Sequence, residues 1–187
     1  MKPGENTNRG NGITVCYSLD DIKLRLKGRE RNGDGKLRTF ILQKYIENPL
    51  LYNKRKFDLR HYVLITCING SFKGYWYEEG YVRTSSNEFN IKSSKDSMIH
   101  LTNDAVQKYS PDFGKYEKAN KLSYADLHKY IESAFPSKKV NFFEEIIPKM
   151  KHFAIEAIKA TYFILDPNRR THNFELLGLD FMIDENF

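Results

Sequence analysis

The sequence predicts an α+β fold in which a mainly antiparallel sheet is packed by helices. Residues 39–84 contain short apolar runs that are separated by Pro49 and by the turn dipeptides Asn69-Gly70 and Glu79-Gly80, a pattern typical of antiparallel strands. Apolar side chains recur at helical spacing over residues 142–163, which predicts a long packed helix. A final apolar run at residues 173–183 predicts the last strand.

The composition restricts the class of protein. A length of 187 residues suits one domain, and 40% hydrophobic with 14% aromatic residues argues against disorder. No run has the length of a membrane span or the apolar core of a signal peptide, so we expect no membrane association. Cys16 and Cys67 are predicted to be reduced core residues of an intracellular protein. The net charge of +6 favours an acidic partner: nucleic acid, nucleotide, anionic lipid or acidic polypeptide.

A glycine-containing turn is predicted near the start of the chain, where Asn11-Gly12 precedes the apolar residues 13–16. Glycines let the backbone approach a bound group, and backbone N–H groups can cradle phosphate. Lys2 and Arg9 would supply the positive charge. The alternative is a solvated hairpin without a ligand.

Two polar elements follow this turn. Ser18 is the predicted N-cap of a short helix that ends near Lys27, with acidic residues in its first turn. Residues 28–35 are glycine-rich and charged, and they predict a flexible surface loop.

The segment 39–46 predicts a strand that carries the polar pair Gln43-Lys44 among apolar neighbours. A strand that leads into a linker offers its backbone groups to a planar base, and this pair could support that role. An ordinary edge strand with exposed polar side chains is the alternative.

The predicted sheet is centred on residues 56–60. Strand alternation places Lys56, Asp58 and Arg60 on one face, with Phe57 and Leu59 on the other. Two cations around one carboxylate suit a phosphate group, whereas the alternative is an exposed stripe of ion pairs. If the strands form a meander, Arg83 lies beside this row.

The middle of the chain predicts polar loops and a short helix. Residues 87–97 and 109–122 predict loops, and Thr102-Asn103 could either bind a ligand or cap the helix that follows. His100 is expected to be structural rather than a catalytic base.

A helix is predicted from Ser123, with Asp126 completing a capping box. In the long helix, the apolar stripe predicts core positions rather than a cofactor site. They are Phe143, Ile146, Ile147, Met150, Ala154, Ala157, Ile158 and Thr161.

Asp180 is an acid within the last apolar strand. Such a group is costly unless it is paired or bound to a cation. It is therefore a candidate Mg²⁺ ligand, and the alternative is an ion pair with a lysine of the basic sheet.

Several motifs lie in order along almost the whole chain. They are Lys2-Pro3, Arg9-Gly10-Asn11-Gly12-Ile13, residues 43–51 (QKYIENPLL), Lys56-Phe57-Asp58-Leu59-Arg60, Gly80-Tyr81-Val82-Arg83, His100-Leu101-Thr102-Asn103, Gly114-Lys115-Tyr116-Glu117 and residues 174–181 (FELLGLDF). This ordered set resembles the tubulin tyrosine ligase-like family of ATP-grasp enzymes. The resemblance implies an ATP-grasp-like fold and a ligase that uses ATP and Mg²⁺.

The resemblance also implies a role for each matching residue. Arg60 would steady the transferring phosphate or the acceptor carboxylate, Arg83 would bind the carboxylate of the incoming amino acid, and Asp180 would bind Mg²⁺. Lys121 resembles a substrate-binding lysine of glutamate-adding members. The residues implied to contact the nucleotide are Lys2, Arg9, Gly10, Gln43, Lys44, Tyr45, Ile46, Lys56, Asp58, Thr102 and Asn103.

In the family, a tubulin-tail carboxylate receives the γ-phosphate, and the amine of a free amino acid then attacks the acyl phosphate. Glutamate, glycine and tyrosine are all used, and Lys121 favours glutamate weakly. The resemblance implies tubulin or microtubules as the partner, through their acidic C-terminal tails. It also implies a cytoplasmic location associated with the cytoskeleton or a cilium.

The sequence departs from the family pattern in two places. A Glu-x-Asn metal motif expected beyond Asp180 is absent, and the chain begins just before Lys2. We therefore expect residues 1–187 to be a partial catalytic domain with weak or no activity. The alternatives are an inactive tubulin-binding fragment and an ATP-grasp ligase with another acceptor. A third is a basic nucleic-acid-binding module that uses Tyr75, Trp76, Tyr77 and Tyr81. Nucleic acid is the less favoured partner, because the sequence contains no RNA- or DNA-binding motif.

Overall fold

The structure is a computed structural model that describes residues 1–4, 9–27, 31, 35–93, 96–166, 168 and 170–187. Most of the loop predicted at residues 28–35 lies outside the described residues, as do residues 5–8 of the predicted N-terminal turn and parts of two further loops. The described elements combine helices with antiparallel sheets. The predicted α+β class is therefore confirmed.

The strands have between two and fourteen residues. They are β1 (Lys2–Pro3), β2 (Phe40–Ile41), β3 (Leu51–Tyr52), β4 (Arg55–Ile68), β5 (Ser71–Trp76), β6 (Tyr81–Glu88), β7 (Lys121–Ser123) and β8 (His172–Phe181). The α-helices are α1 (Leu19–Lys27), α2 (Ser97–His100), α3 (Asp104–Gln107), α4 (Tyr124–Ala134) and α5 (Ile147–Leu165). Short 3₁₀ turns occupy Lys118–Asn120 and Pro136–Lys138, and a π-helical turn spans Phe142–Ile146.

The chain divides into two compact units. The first unit comprises Met1–Lys56 and Thr84–Asn120, and the second unit comprises Phe57–Arg83 and Lys121–Phe187. The strand order of the larger sheet is β3-β4-β6-β7, and β5 and β8 also pair with β4.

In the first unit, β1 pairs with β2 so that Lys2 lies opposite Ile41. The strand predicted at residues 39–46 is wrong beyond Ile41, because the chain continues without ladder pairing there. The N-terminal turn closes where Met1 and Thr14 exchange two backbone hydrogen bonds of 2.9 Å. Gly10 has a φ of +81° in this turn, a conformation that favours glycine.

In the second unit, β4 is flanked by two strands. Residues 59–68 of β4 pair with β8, and residues 63–68 also pair with β5. The predicted meander, in which successive strands pair in order, is wrong. β5 pairs with residues 63–68 of β4, and β6 is a neighbour of β4 as well. Arg83 nevertheless lies beside Asp58, as expected.

The core of the second unit forms where α4 and α5 bury apolar side chains. Leu127, Ile131, Ile146, Met150 and Ala154 are buried. The predicted core position of Phe143 is wrong, since Phe143 is 46% exposed and Phe142 is fully buried. The reason is the π-helical turn at Phe142–Ile146, which adds a residue to the turn and rotates the apolar face.

The same stripe ends earlier than the sequence predicts. Ala157 and Thr161 are exposed, and Ile147 and Ile158 are half-buried. The core face of α5 therefore stops near Ala154.

The helix starts that the sequence predicts agree with the structure more closely than the loops that it predicts. The Ser123 hydroxyl accepts a hydrogen bond from Asp126 N at 3.1 Å, and the Asp126 carboxylate accepts one from Ser123 N, so the predicted capping box is present. β7 begins within the loop predicted at residues 109–122, and α2 begins at the end of the loop predicted at residues 87–97. Their shortness explains why periodicity did not reveal them.

Two further predictions concern cysteines and membranes. Cys67 is buried and Cys16 is half-buried, and both are free thiols. Among the described residues, none of the helices combines the length and the apolar character needed to cross a bilayer.

Candidate functional site

The first unit holds a buried lysine in a polar pocket of fixed geometry. Lys56 is 7% exposed, and its ammonium donates hydrogen bonds to the carbonyl oxygen of His100 at 2.8 Å and to the Tyr45 hydroxyl at 3.2 Å. The ammonium also lies 4.7 Å from the centroid of the Tyr45 ring, a cation–π distance. The predicted exposed stripe is therefore wrong at Lys56.

His100 fixes the Tyr45 hydroxyl that meets this lysine. Its Nε2 lies 3.0 Å from the carbonyl oxygen of Ser93, so Nε2 carries the hydrogen, because a carbonyl only accepts. In the neutral ring, Nδ1 then accepts from the Tyr45 hydroxyl at 2.8 Å. Burial, and then the Lys56 charge, lower the pKa of His100. Burial raises the pKa of Tyr45 to about 12, so both groups are neutral at pH 7.

Two further contacts join residues of the first unit that are predicted to bind the nucleotide. Lys2 Nζ donates to Gln43 Oε1 at 2.8 Å. Gly10 packs so tightly that an added Cβ would lie 3.1 Å from Val106 Cγ2 and 3.4 Å from Asn103 Oδ1. The glycine turn and the Thr102-Asn103 segment are therefore in contact.

The remaining predicted residues of this unit differ in exposure. Arg9, Lys44 and Ile46 are exposed, whereas Thr102 is buried. Asn103 occupies the N-cap position of α3, but its side chain makes no capping hydrogen bond. Of the two roles considered for Asn103, capping by its side chain is therefore wrong.

The second unit holds a buried ion pair between Asp58 and Arg83. Arg83 Nε and Nη2 donate to the two oxygens of Asp58 at 2.7 and 2.5 Å. Arg83 is 5% and Asp58 is 8% exposed. Burial lowers the pKa of Arg83, but the hydrogen bonds and charge of Asp58 outweigh it, so the pKa is raised.

Arg60 and Arg83 converge on a second carboxylate, that of Asp180. Arg60 lies opposite Asp180 in the β4–β8 register, and it donates through Nε at 2.6 Å and through Nη2 at 3.2 Å. Arg83 Nη2 lies 2.8 Å from Asp180 Oδ1. Burial lowers the pKa of Arg60, but the hydrogen bond to Asp180 leaves it raised. The pairing of Asp180 with a cation is therefore present, although the partners are arginines and not a lysine.

In this arrangement two arginines engage the carboxylate of Asp180. Both Asp180 oxygens accept from guanidinium groups, and a divalent cation placed there would be repelled by two positive charges. Within the part of the chain that the structure describes, no group of three or more His, Cys, Asp or Glu side chains could hold a metal. The role of Asp180 as a magnesium ligand stays a prediction.

Lys121 is a further cation on a strand beside Arg83. It is opposite Arg83 in the β6–β7 register, and its ammonium is 5.4 Å from the centroid of the Tyr81 ring. Burial, and then a hydrogen bond with Tyr62, raise the pKa of Tyr81 to about 12. Lys121 and Arg83 thus add positive charge on neighbouring strands.

Sequence reasoning missed a buried ion pair in the first unit. Arg55 is 3% exposed and forms a bidentate pair with Glu117. Glu117 also accepts from the Thr84 hydroxyl at 2.9 Å, and Arg55 lies 4.4 Å from the Tyr116 ring centroid. The signal available was the run Lys54-Arg55-Lys56, in which strand alternation sends neighbouring cations to opposite faces.

A second missed feature is the buried His61 of the second unit. Its ring stacks on Trp76 at a centroid distance of 3.5 Å. Its Nε2 lies 2.8 Å from the carbonyl oxygen of Tyr77, and its Nδ1 faces the Tyr124 hydroxyl at 3.3 Å. His61 therefore covers one face of the Trp76 ring.

Comparison with known proteins gives one family. The model of the tubulin-tyrosine ligase family matches residues 1–187. Tubulin glycylase 3B of Tetrahymena thermophila is 34% identical over 180 residues, which cover 96% of this chain and 14% of that protein. Tubulin glycylase 3B of Drosophila melanogaster is 34% identical over 197 residues and covers 100% of the chain and 24% of its own length.

A relative of a different kind matches almost equally well. The probable tubulin polyglutamylase TTLL9 of Bos taurus is 31% identical over 185 residues, which cover 99% of this chain and 37% of that protein. The chain thus spans between 14% and 37% of the length of these three relatives.

Proposed function

Because the chain belongs to the tubulin-tyrosine ligase family, we propose that it carries part of an ATP-grasp-like ligase that joins an amino acid to tubulin. The observation that carries this proposal is the convergence of Arg60 and Arg83 on one carboxylate. Two guanidinium groups that hold one carboxylate are the arrangement that a carboxylate-activating ligase needs for anionic substrates.

The first unit would bind the nucleotide. Its residues fit that role because Lys56 is held in place by Tyr45 and His100, and a positioned ammonium suits a phosphate. The left-handed Gly10 brings backbone close to Asn103. The residues of this unit proposed for nucleotide contact are Lys2, Arg9, Gly10, Gln43, Lys44, Tyr45, Ile46, Lys56, Thr102 and Asn103. Asp58 lies in the second unit, and its contact with the nucleotide stays a prediction.

The second unit would hold the anionic substrates. Asp58 keeps Arg83 fixed and charged through a bidentate buried pair, which suits Arg83 to bind the carboxylate of the amino acid. Arg60 would steady the transferring phosphoryl group or the acceptor carboxylate. Positive groups set in advance stabilise the charge that develops in the transition state.

The reaction proposed is ligation through an acyl phosphate. ATP supplies its γ-phosphoryl group to a carboxylate of tubulin and leaves as ADP. The amine of the amino acid then attacks the acyl carbon, loses a proton and displaces inorganic phosphate. Magnesium is expected with ATP. The described residues contain no group of three or more His, Cys, Asp or Glu side chains that could hold it.

The amino acid could be glycine or glutamate. The relatives named as glycylases and as a probable polyglutamylase match at 34% and 31% identity, so these names give no specific support to glutamate. Lys121, opposite Arg83, is the residue proposed to contact a second carboxylate if glutamate is the substrate.

The proposed partner is tubulin, and the proposed location is the cytoplasm, at the cytoskeleton or a cilium. The relatives are named for acting on tubulin. The net charge of +6 suits acidic C-terminal tails.

Incorporation of radiolabelled glycine or glutamate into purified tubulin tests the proposal. We expect weak, ATP-dependent label on intact tubulin and none on tubulin whose acidic tails have been removed by limited proteolysis. Arg83→Ala should abolish the label, whereas Arg170→Ala, at an exposed position, should keep it. Incorporation that needs no ATP, or that survives Arg83→Ala, would contradict the proposal.

A second candidate is a tubulin-binding unit without ligase activity. The pairing of Asp180 with Arg60 and Arg83 favours it, because this carboxylate is engaged by guanidinium groups. It predicts microtubule co-sedimentation that is unchanged by Arg83→Ala and by Asp180→Asn, with no amino acid incorporated.

A further inference from the structure

Gln107, the last residue of α3 in the first unit, has a buried side chain whose amide makes three hydrogen bonds. The residue is fully buried. Its Nε2 donates to the carbonyl oxygen of Met98 at 3.1 Å and to that of Leu101 at 2.5 Å. Its Oε1 accepts from Ser86 N at 2.7 Å. One side chain therefore joins β6 to α2 and to the residue that follows α2.

The backbone that Gln107 holds leads directly into two residues proposed to contact the nucleotide. Leu101 precedes Thr102 and Asn103, which connect α2 to α3. These helices have four residues each, and helices this short are not stable by themselves in water. The Asn103 side chain makes no capping hydrogen bond. The position of this connection therefore depends on contacts from outside the two helices.

Two buried side chains hold this segment through its carbonyl oxygens. The Lys56 ammonium donates to the carbonyl oxygen of His100 at 2.8 Å, and Gln107 donates to that of Leu101, the next residue. If the segment turned away, both donors would be left buried without these acceptors, which is costly. Residues 98–103 therefore have one favoured conformation.

We propose that Gln107 is a positioning residue for ATP, which holds residues 98–103 in the conformation that lets Thr102 and Asn103 contact the nucleotide. This inference rests on the proposed function, because it takes Thr102 and Asn103 as nucleotide contacts. Gln107 is fully buried, so it acts through the backbone of Leu101 and does not touch the ligand. A segment that is ordered in advance loses less conformational entropy when the ligand binds.

Gln107→Met tests this role with little change in the length of the side chain. It removes the two donors and the acceptor, so that the carbonyl oxygens of Met98 and Leu101 lose a partner. A buried polar group without a partner favours movement of the segment that carries it. We expect ATP binding about tenfold weaker than in wild type, measured by isothermal titration calorimetry.

Ser85→Ala is the matched control on β6. The Ser85 side chain is buried, and its hydroxyl donates to the carbonyl oxygen of Asn87 at 2.9 Å. The variant thus removes a hydrogen bond of a buried side chain in the same unit without touching residues 98–103. ATP affinity should stay unchanged. An equal loss of affinity in Ser85→Ala and Gln107→Met would overturn the inference.

Gln107→Glu tests the two donors separately from the acceptor. An ionised carboxylate can accept from Ser86 N but cannot donate to a carbonyl oxygen, whereas a protonated carboxyl recovers one donor. Burial favours the protonated form. The ratio of the ATP dissociation constants of variant and wild type should therefore fall as the pH is lowered from about 9 to about 6. Titration of ATP and of the nearby His100 occurs with both proteins, so it cancels in the ratio.

The outcomes separate the inference from the proposed function. Wild-type affinity in Gln107→Met, or the same loss at every pH in Gln107→Glu, overturns the inference. Wild-type affinity of Gln107→Glu at every pH, with weak binding to Gln107→Met, supports it, because the carboxyl then stays protonated. Loss of binding in Lys56→Met without loss in Gln107→Met overturns the inference alone. Absence of ATP binding to wild type overturns the proposed nucleotide site and the inference with it.

A measurement on wild type covers the case in which the variants do not fold, which circular dichroism checks. Hydrogen–deuterium exchange without ATP should show slow exchange for the amides of residues 98–103, because the segment is already held. Exchange as fast as in an unfolded peptide would overturn the inference.

Discussion

The Lys56 ammonium lies 2.8 Å from the carbonyl oxygen of His100 and shares the Tyr45 hydroxyl with the His100 ring. Three residues that are far apart in the sequence thus form one polar unit. Its lysine is buried and its direction is set by neutral partners. Such a group can meet a phosphate without first being ordered.

We expect Lys56→Met to weaken ATP binding about tenfold or more, because a charge-assisted hydrogen bond to phosphate is lost. Tyr45→Phe removes one acceptor of Lys56 and should weaken binding about fivefold. Isothermal titration calorimetry with ATP measures both. Lys92→Met, at an exposed position of the same unit, is the control and should bind ATP as wild type does.

The Arg55–Glu117 pair should be important for stability. Glu117→Gln leaves Arg55 buried without its counter-ion, and we expect a loss of about 3–5 kcal/mol in the free energy of unfolding. Urea denaturation followed by circular dichroism gives this value. Asp112→Asn breaks an exposed pair with Lys115 in the same segment and should change stability little. A loss of similar size in both variants would contradict the role given to the buried pair.

The stability of the second unit should fall as the pH is lowered below about 6.5. Burial lowers the pKa of His61, and the charge of Lys151 lowers it further, against the opposing effects of Tyr77 O and Glu78. The unfolded chain therefore binds a proton at a higher pH than the folded chain does. The stabilisation is full above the unfolded pKa, and it is lost as the pH falls through the folded pKa.

Replacement of His61 should flatten this pH dependence. His61→Asn removes the titrating ring, while His172→Asn removes an exposed histidine and should leave the curve unchanged. Chemical denaturation at a series of pH values from 7.5 to about 5 measures the slopes. A slope that is the same in wild type and His61→Asn would assign the acid sensitivity to other groups.

The sequence predicted which residue types need a partner more reliably than it predicted the partner. An acid in an apolar strand required a cation, so the pairing of Asp180 was foreseeable. Its partners were not, because the β4–β8 register that sets Arg60 opposite Asp180 joins segments far apart in the chain. The alternation of side chains along a strand shows which face of the sheet a residue lies on, but it does not show which residue of the next strand lies opposite.

Local rules failed where one residue altered the geometry. The capping box of Ser123 and Asp126 depends on four consecutive residues, and it was predicted correctly. The sequence predicted Phe143 as a core residue of the long helix, whereas its neighbour Phe142 is the buried one. The reason is the π-helical turn before α5, which hydrophobic spacing does not reveal. The burial of Lys56 depends on Tyr45 and His100, and a strand pattern alone places such a lysine on the surface.

The last prediction concerns a close backbone approach at Gly80. A Cβ at this position would lie 2.7 Å from the carbonyl oxygen of Arg60 and would also overlap the Tyr124 hydroxyl. Gly80→Ala should therefore move Arg60 or Tyr124 and cost about 1–3 kcal/mol in the free energy of unfolding.

Gly74 provides the matched control for this substitution. An added Cβ at Gly74 meets no atom within 4 Å, so Gly74→Ala on β5 should be neutral or stabilising by about 0.4–1 kcal/mol. Urea denaturation of the two variants separates steric overlap from the general effect of replacing glycine. Equal stabilities for Gly80→Ala and Gly74→Ala would mean that the contact between Gly80 and the Arg60 backbone is not as close as the structure has it.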